Sequence, residues 1–256
     1  MNTRPKNNDR PDYGNWVSKK LVLGLVILSL ASWGLAFLSG WWLLPAVLSL
    51  GMAVYFGYAR FLFSARGKNI QARIRELVLD HLDWKGEGQV LDIGCGGGAL
   101  VIELARRHPQ ARAFGIDSWG PGWEYSRAAC ERNAQLEGVG ERATFRKASA
   151  SALPFENESL DAVVSNLVFH EVKEIPDKRE LVREALRVLR KGGKFAFQDL
   201  FLFEGLYGSP AELVEMVHSW GVSRVEFIPT HEAAFIPPAL KLPFMVGTLG
   251  LIAGEK

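Results

Sequence analysis

The sequence predicts a doubly wound α/β domain preceded by a hydrophobic helical hairpin. Two patterns point to the domain. Val90 to Ile93 is a short apolar run that passes into four glycines, Gly94, Gly96, Gly97 and Gly98, and then into Leu100, Val101, Leu104 and Ala105 at helical spacing. Strand-like apolar runs then alternate with amphipathic helical segments to the end of the chain. A third pattern points to the hairpin: Leu21 to Leu38 and Trp41 to Tyr58 contain no charged residue, and Ser39-Gly40 lies between them as a turn. Each run approaches the roughly 20 residues that cross a hydrocarbon core, and Trp41, Trp42, Tyr55 and Tyr58 lie near the ends, as interfacial aromatics do.

Composition narrows the function. The chain has 256 residues and a formal net charge of +2, which gives no case for a nucleic-acid partner. It has two cysteines, Cys95 and Cys130, so a disulfide framework is not expected and a reducing compartment is the simpler reading. Residues 1–20 are polar and read as a flexible tail. Arg4, Lys6, Arg10, Lys19 and Lys20 precede the hairpin, and Arg60, Arg66 and Lys68 follow it. Basic flanks and an uncharged turn predict a multi-pass anchor in the cell membrane with both termini in the cytoplasm. The expected organisation is therefore a tail over 1–20, a transmembrane hairpin over 21–58 and a catalytic domain over 64–256.

Along the domain, Ser64 to Leu82 reads as an amphipathic helix, ended by Gly86 and Gly88. Ala111 to Ile116 reads as the second strand and ends at Asp117, about twenty positions after the glycines, where an acidic residue meets ribose hydroxyls. Ser118 to Ser126 is an aromatic loop containing Trp119, Trp123 and Tyr125, followed by a helix to Leu136. Trp119 could face a base or an acceptor, or pack its helix onto the sheet. Ala143 to Ala148 and Leu160 to Asn166 read as strands, Arg179 to Arg190 as a helix closed by Gly192-Gly193, and Lys194 to Leu200 as the fifth strand. Pro210 to Trp220 is a further helix, Val222 to Ile228 a strand, and Leu249 to Ala253, beginning near Val246, the last strand. Phe235 to Met245 is apolar and proline-rich; a lid, a membrane-touching loop and a loop packed on the sheet are all open.

Gly94-x-Gly96-x-x-Ala99 satisfies a dinucleotide fingerprint, so a nicotinamide oxidoreductase has to be weighed. Asp92 argues against it, because a carboxylate two positions before the first glycine repels a pyrophosphate and suits a ligand carrying an ammonium and a sulfonium. This acidic residue, its strand and the glycine turn resemble motif I of the class I S-adenosylmethionine-dependent methyltransferases. Three other segments carry the same resemblance: Ser149 to Phe155 with its Leu-Pro-Phe, Leu160 to Val172, and Val188 to Asp199.

The resemblance implies a Rossmann-like sheet of seven strands, the last pair antiparallel, and S-adenosyl-L-methionine as cofactor. It places Asp92, Gly94, Cys95, Gly96, Asp117, Ser118, Ser149, Ala150 and Asn166 around the donor. Ser149 stands where the family commonly has Asp, so adenine recognition there loses charge assistance. His170 occupies a position where the family often carries histidine and could act as general base, or only hold the loop. No metal cluster is evident. The acceptor is read as a small-molecule or lipid-like compound at the membrane, and a non-catalytic S-adenosylmethionine-binding protein stays open beside the enzyme.

Overall fold

The computed structural model describes residues 10–120 and 125–256. Trp123 therefore lies outside the described residues. Two compact units emerge. One comprises the chain up to Gly14 together with Ile74–Lys256, the other Asn15–Arg73.

The second unit holds α1 (Lys19–Ala36) and α2 (Leu43–Phe63), joined through a short 3-10 turn at Gly40–Trp42. Ser18 caps α1 by accepting from the Leu21 amide. The two helices are packed together through small residues: Ser29 and Ser32 of α1, Ala46, Ser49 and Ala53 of α2 are buried, with Leu25. The large apolar side chains face outward, Leu30 being 68% and Leu44 67% exposed. The contact between the two helices is thus made by small residues, with the large apolar side chains outside it. Lys19–Ala36 and Gly40–Phe63 are long and apolar enough to cross a membrane. The Arg60 guanidinium donates to the Val17 carbonyl, and Asn15 Nδ2 to the Arg60 carbonyl, at the polar end of the pair.

The first unit is a seven-stranded sheet. Its strands are β1 (Gly88–Ile93), β2 (Ala111–Asp117), β3 (Ala143–Lys147), β4 (Leu160–Asn166), β5 (Leu189–Asp199), β6 (Arg224–Ile228) and β7 (Gly250–Glu255), in the order β3-β2-β1-β4-β5-β7-β6. All neighbouring pairs are parallel except those of β7, which runs antiparallel to both β5 and β6. The strand order reverses at β1, so its carboxyl end opens the crevice where ligands bind in such sheets. Helices α4 (Ala99–Arg107), α5 (Arg127–Leu136), α6 (Arg179–Val188), α7 (Glu204–Tyr207) and α8 (Pro210–Ser219) complete the unit with α3 (Ile70–Asp80) from Ile74 onward. Burial divides into one cluster built on Leu91, Val163, Phe195, Phe197 and α6, and another built on Val90, Val164, Ala196 and α4, one for each face of the central strands.

Several expectations need correction. The helix expected from Ser64 begins only at Ile70, because α2 continues to Phe63 and the chain turns through Asn69 at φ +50°. The helix expected to reach Arg190 stops at Val188, and Leu189 already pairs with Leu160. Arg190 to Gly193 are thus an irregular start to β5, not a basic helix end. Within the segment expected as a flexible tail, Asp12 is bonded to Asn133 of the sheet-bearing unit, and Lys19-Lys20 already belong to α1. The last strand starts at Gly250 and runs on to Glu255, and α7 was not foreseen.

Candidate active site

The carboxyl end of β1 sets the site. Val90, Leu91 and Ile93 are fully buried and fix the strand between β2 and β4. Beyond Ile93 the Gly94 and Cys95 amides both donate to the Ile116 carbonyl, at 2.8 and 2.9 Å, and the Gly98 amide donates to the Cys95 carbonyl at 2.8 Å. Gly94 sits at φ +71°, and a Cβ there would lie 2.1 Å from a Val168 methyl, so no other residue fits.

Asp117 clamps this turn. Its Oδ2 accepts from the Gly96 amide at 2.9 Å and its Oδ1 from the Trp119 amide at 2.7 Å, while the Trp119 indole donates to the Gly96 carbonyl at 3.0 Å. Trp119 thus packs the loop onto the turn. Ser118 is exposed beside it. Cys130 contacts the Gly96 carbonyl, and burial pushes the Cys95 thiol well up, so Cys95 is not an activated nucleophile.

Asp92 is 2% exposed. Burial raises its carboxyl well above the usual range, the nearby Asp117 raises it further, and Arg75 opposes both. Arg75 of α3 was missed in the sequence. Desolvation pulls its guanidinium down, while Tyr125, Tyr13 and Asp92 hold it up. Its signal was only an arginine on a helix face that composition alone reads as solvated.

At the end of β4, the Asn166 Oδ1 is buried with no hydrogen-bond partner among the described residues. The next residue, Leu167, adopts φ +61°, a conformation costly for a non-glycine residue and held by its amide bond to the Gln198 carbonyl. Ser149 hydrogen-bonds Ser151 at 2.8 Å, and Ala150 is buried behind it.

His170 is paired. Its Nδ1 lies 2.7 Å from Asp199 Oδ1 and its Nε2 3.4 Å from Glu171. Burial alone would lower the imidazole, but the bonds to Asp199 and Glu171 outweigh it and lift it to about 9. Asp199, fully buried at the end of β5, also accepts from the Val168, Phe169 and Leu200 amides, so it cannot turn away from His170. The buried Tyr207 ring stacks edge-on against Phe201 at 4.7 Å, and burial with Asp199 nearby pushes its phenol far up. Asp199 was the second omission. Its residue closes the Val188 to Asp199 segment, but only the β4–β5 pairing shows that it meets His170.

Residues 91–197 match the family model described as a methyltransferase domain. The demethylmenaquinone methyltransferase of Roseiflexus castenholzii (strain DSM 13941 / HLO8) is 38% identical over 109 residues, covering 43% of this chain and 41% of that protein. The 27-O-demethylrifamycin SV methyltransferase of Amycolatopsis mediterranei (strain S699) is 29% identical over 172 residues, covering 66% of this chain and 59% of that protein. The chain thus spans about 41% and 59% of the length of these curated relatives. Among solved structures, geranyl diphosphate methyltransferase in complex with GPP and sinefungin superposes with a TM-score of 0.56 at 17% identity, over 75% of this chain and 79% of that one. The fold is the Rossmann-like methyltransferase fold.

A methyltransferase fold calls for S-adenosylmethionine, and the residues present fit it. The glycine turn leaves backbone room beside two carboxylates, Asp92 and Asp117, suited to an ammonium and a ribose diol respectively. Asn166, at the end of the neighbouring β4, keeps a buried Oδ1 that lacks a donor among the described residues. An ionised Asp92 would repel a pyrophosphate and pair with an ammonium.

Proposed function

We propose that the chain is a membrane-anchored S-adenosylmethionine-dependent methyltransferase acting on a hydrophobic acceptor. The observation that carries the donor half is the buried Asp92 beside the glycine turn, with Asp117 and the orphaned Asn166 Oδ1 at neighbouring strand ends. When bound, the donor supplies an electrophilic methyl group on a positive sulfur. Asp117 holds the ribose diol, Asp92 and Asn166 orient the amino-acid end, and Ser149 and Ala150 border the base. Holding the acceptor in line with the methyl is the main source of rate. His170, fixed through Nδ1 by Asp199, takes the proton of an acceptor O–H or N–H at Nε2 in its deprotonated form, once that nitrogen has left Glu171. That paired histidine favours an enzyme over a non-catalytic binder.

Two features support the acceptor half. The hairpin carries its leucines outward and its small residues inward, as an anchor in lipid would. Anchoring raises the local concentration of enzyme near a substrate dissolved in the same bilayer. A quinone-like acceptor, as in the name of the Roseiflexus relative, suits this reading. Of the 235–245 segment, Ile236 and Leu240 are buried while Leu242 and Phe244 face out, so it packs on its unit and presents an apolar edge. The test is to incubate the full chain in membranes with S-adenosylmethionine labelled in its methyl group and partition the products. Label in the organic phase, lost in Asp117→Ala, is expected. Label confined to water-soluble products would refute the hydrophobic acceptor.

A further inference from the structure

The segment ahead of the hairpin makes contacts that a tail does not need. Asn133 of α5 bonds Asp12 reciprocally: its Oδ1 accepts from the Asp12 amide at 3.0 Å, and its Nδ2 donates to the Asp12 carbonyl at 2.8 Å. The same Nδ2 donates to the Gly97 carbonyl at 3.0 Å, so one buried side chain ties residue 12 to the glycine turn. The Tyr13 backbone then lies against Gly97, where an added Cβ would be 3.2 Å from Tyr13 Cα. Gly14, at φ +68°, passes the Tyr125 ring so closely that a Cβ would stand 2.4 Å from it, and Tyr125 in turn lies over Gly96. The Tyr13 hydroxyl donates to Glu137, and Arg132 donates to the Arg10 carbonyl.

We infer that Arg10–Gly14 is a strap belonging to the donor site, closing over the glycine turn and roofing the amino-acid end of bound S-adenosylmethionine. The inference rests on the donor reading given above. Arg75 supports it independently of the strap's own bonds. Its desolvated guanidinium feels Tyr13, Tyr125 and Asp92 together, and it has no hydrogen bond or ion pair among the described residues. A donor carboxylate beneath Tyr13 and Tyr125 would meet that cation, while the donor ammonium meets Asp92. The strap precedes the hairpin in sequence and the rest of the donor site follows it, so a catalytic domain cut at residue 64 would lack part of its own binding site.

The test uses the full chain in detergent with S-adenosylhomocysteine, which carries the same amino-acid end. Hydrogen exchange should show the Asp12 and Gly14 amides slowed by the ligand together with those of Gly96 and Gly97. Calorimetry should show Tyr13→Ala binding about tenfold more weakly, the equivalent of about 1.4 kcal/mol, and Arg75→Gln at least as weakly, with the melting temperature of free Tyr13→Ala near that of the wild type. Protection at Gly96 and Gly97 without protection at 12 and 14, or wild-type affinity in Tyr13→Ala, would overturn the strap and leave the donor site standing. If the wild type neither binds nor shows protection at the glycine turn, the donor reading itself fails and the strap with it. Should Tyr13→Ala not fold, the exchange pattern of the wild type decides alone.

Discussion

At the scale of single residues, the site is governed by carboxylates and by what each one faces. His170 rises from 6.5 to about 9 because Asp199 and Glu171 outweigh its burial. The imidazolium is therefore the resting form at neutral pH, and its pairing stabilises the fold fully below pH 6.5 and ceases to do so as pH rises through about 9. Proton abstraction needs the neutral form, so turnover on an acceptor with an O–H or N–H should climb with pH up to about 9. In Asp199→Asn the His170 titration, followed by NMR of the imidazole, should move down by at least about one unit, since a charged partner is lost; an unmoved titration would remove Asp199 from that role. Asp92 carries the opposite lesson. Its raised carboxyl must ionise to meet an ammonium, so donor affinity should increase with pH and binding should release protons, seen as buffer-dependent heats. Asp117→Ala should cost about 1.5–3 kcal/mol of donor binding, the range for a hydrogen bond to a charged group. Asp92, Asp117 and His170 stood out as candidates in the sequence because each lies at a fixed offset from a glycine turn or strand end. Arg75 and Asp199 did not, because the groups they act on, Asp92 and His170, come near them only when the chain folds.

At the scale of elements, the glycine turn is the least replaceable part. Gly94→Ala would place a Cβ 2.1 Å from Val168 at φ +71°. Strain at positive φ costs about 1–3 kcal/mol and overpacking about 1–3 more, so thermal unfolding should show a loss of at least about 2 kcal/mol; a melting temperature equal to the wild type would contradict the geometry. Strands and helices from β1 to β4 were legible to within a residue or two because apolar runs and glycines bracket them. The α6–β5 boundary was not. Apolar residues continue from Val188 into Leu189 without a break, and only the pairing of Leu189 with Leu160 ends the helix there. The start of α3 was hidden for a similar reason, since Ser64 to Asn69 is polar enough for a helix but is folded back: a Cβ at Gly67 would strike the Phe61 carbonyl.

At the scale of the whole molecule, the order of the chain and the order of the units differ. Asn15–Arg73 stands as one unit between two parts of the other, Gly14 and before on one side and Ile74–Lys256 on the other. The sequence displayed the hairpin through its missing charges, yet nothing in the composition of residues 10–14 showed that they return to the sheet-bearing unit. If the hairpin spans the bilayer as proposed, reporters active only in the cytoplasm should give signal at Met1 and Lys256 and none at Gly40; signal at Gly40 would make the hairpin an interfacial element. Whether the turn between β1 and α4 takes S-adenosylmethionine is tested by calorimetric titration of the full chain with that donor and, separately, with NADH. Saturable binding of S-adenosylmethionine, weakened in Asp117→Ala, and no heat from NADH are expected; NADH binding at the turn, or S-adenosylmethionine affinity indifferent to Asp117, would overturn the donor site.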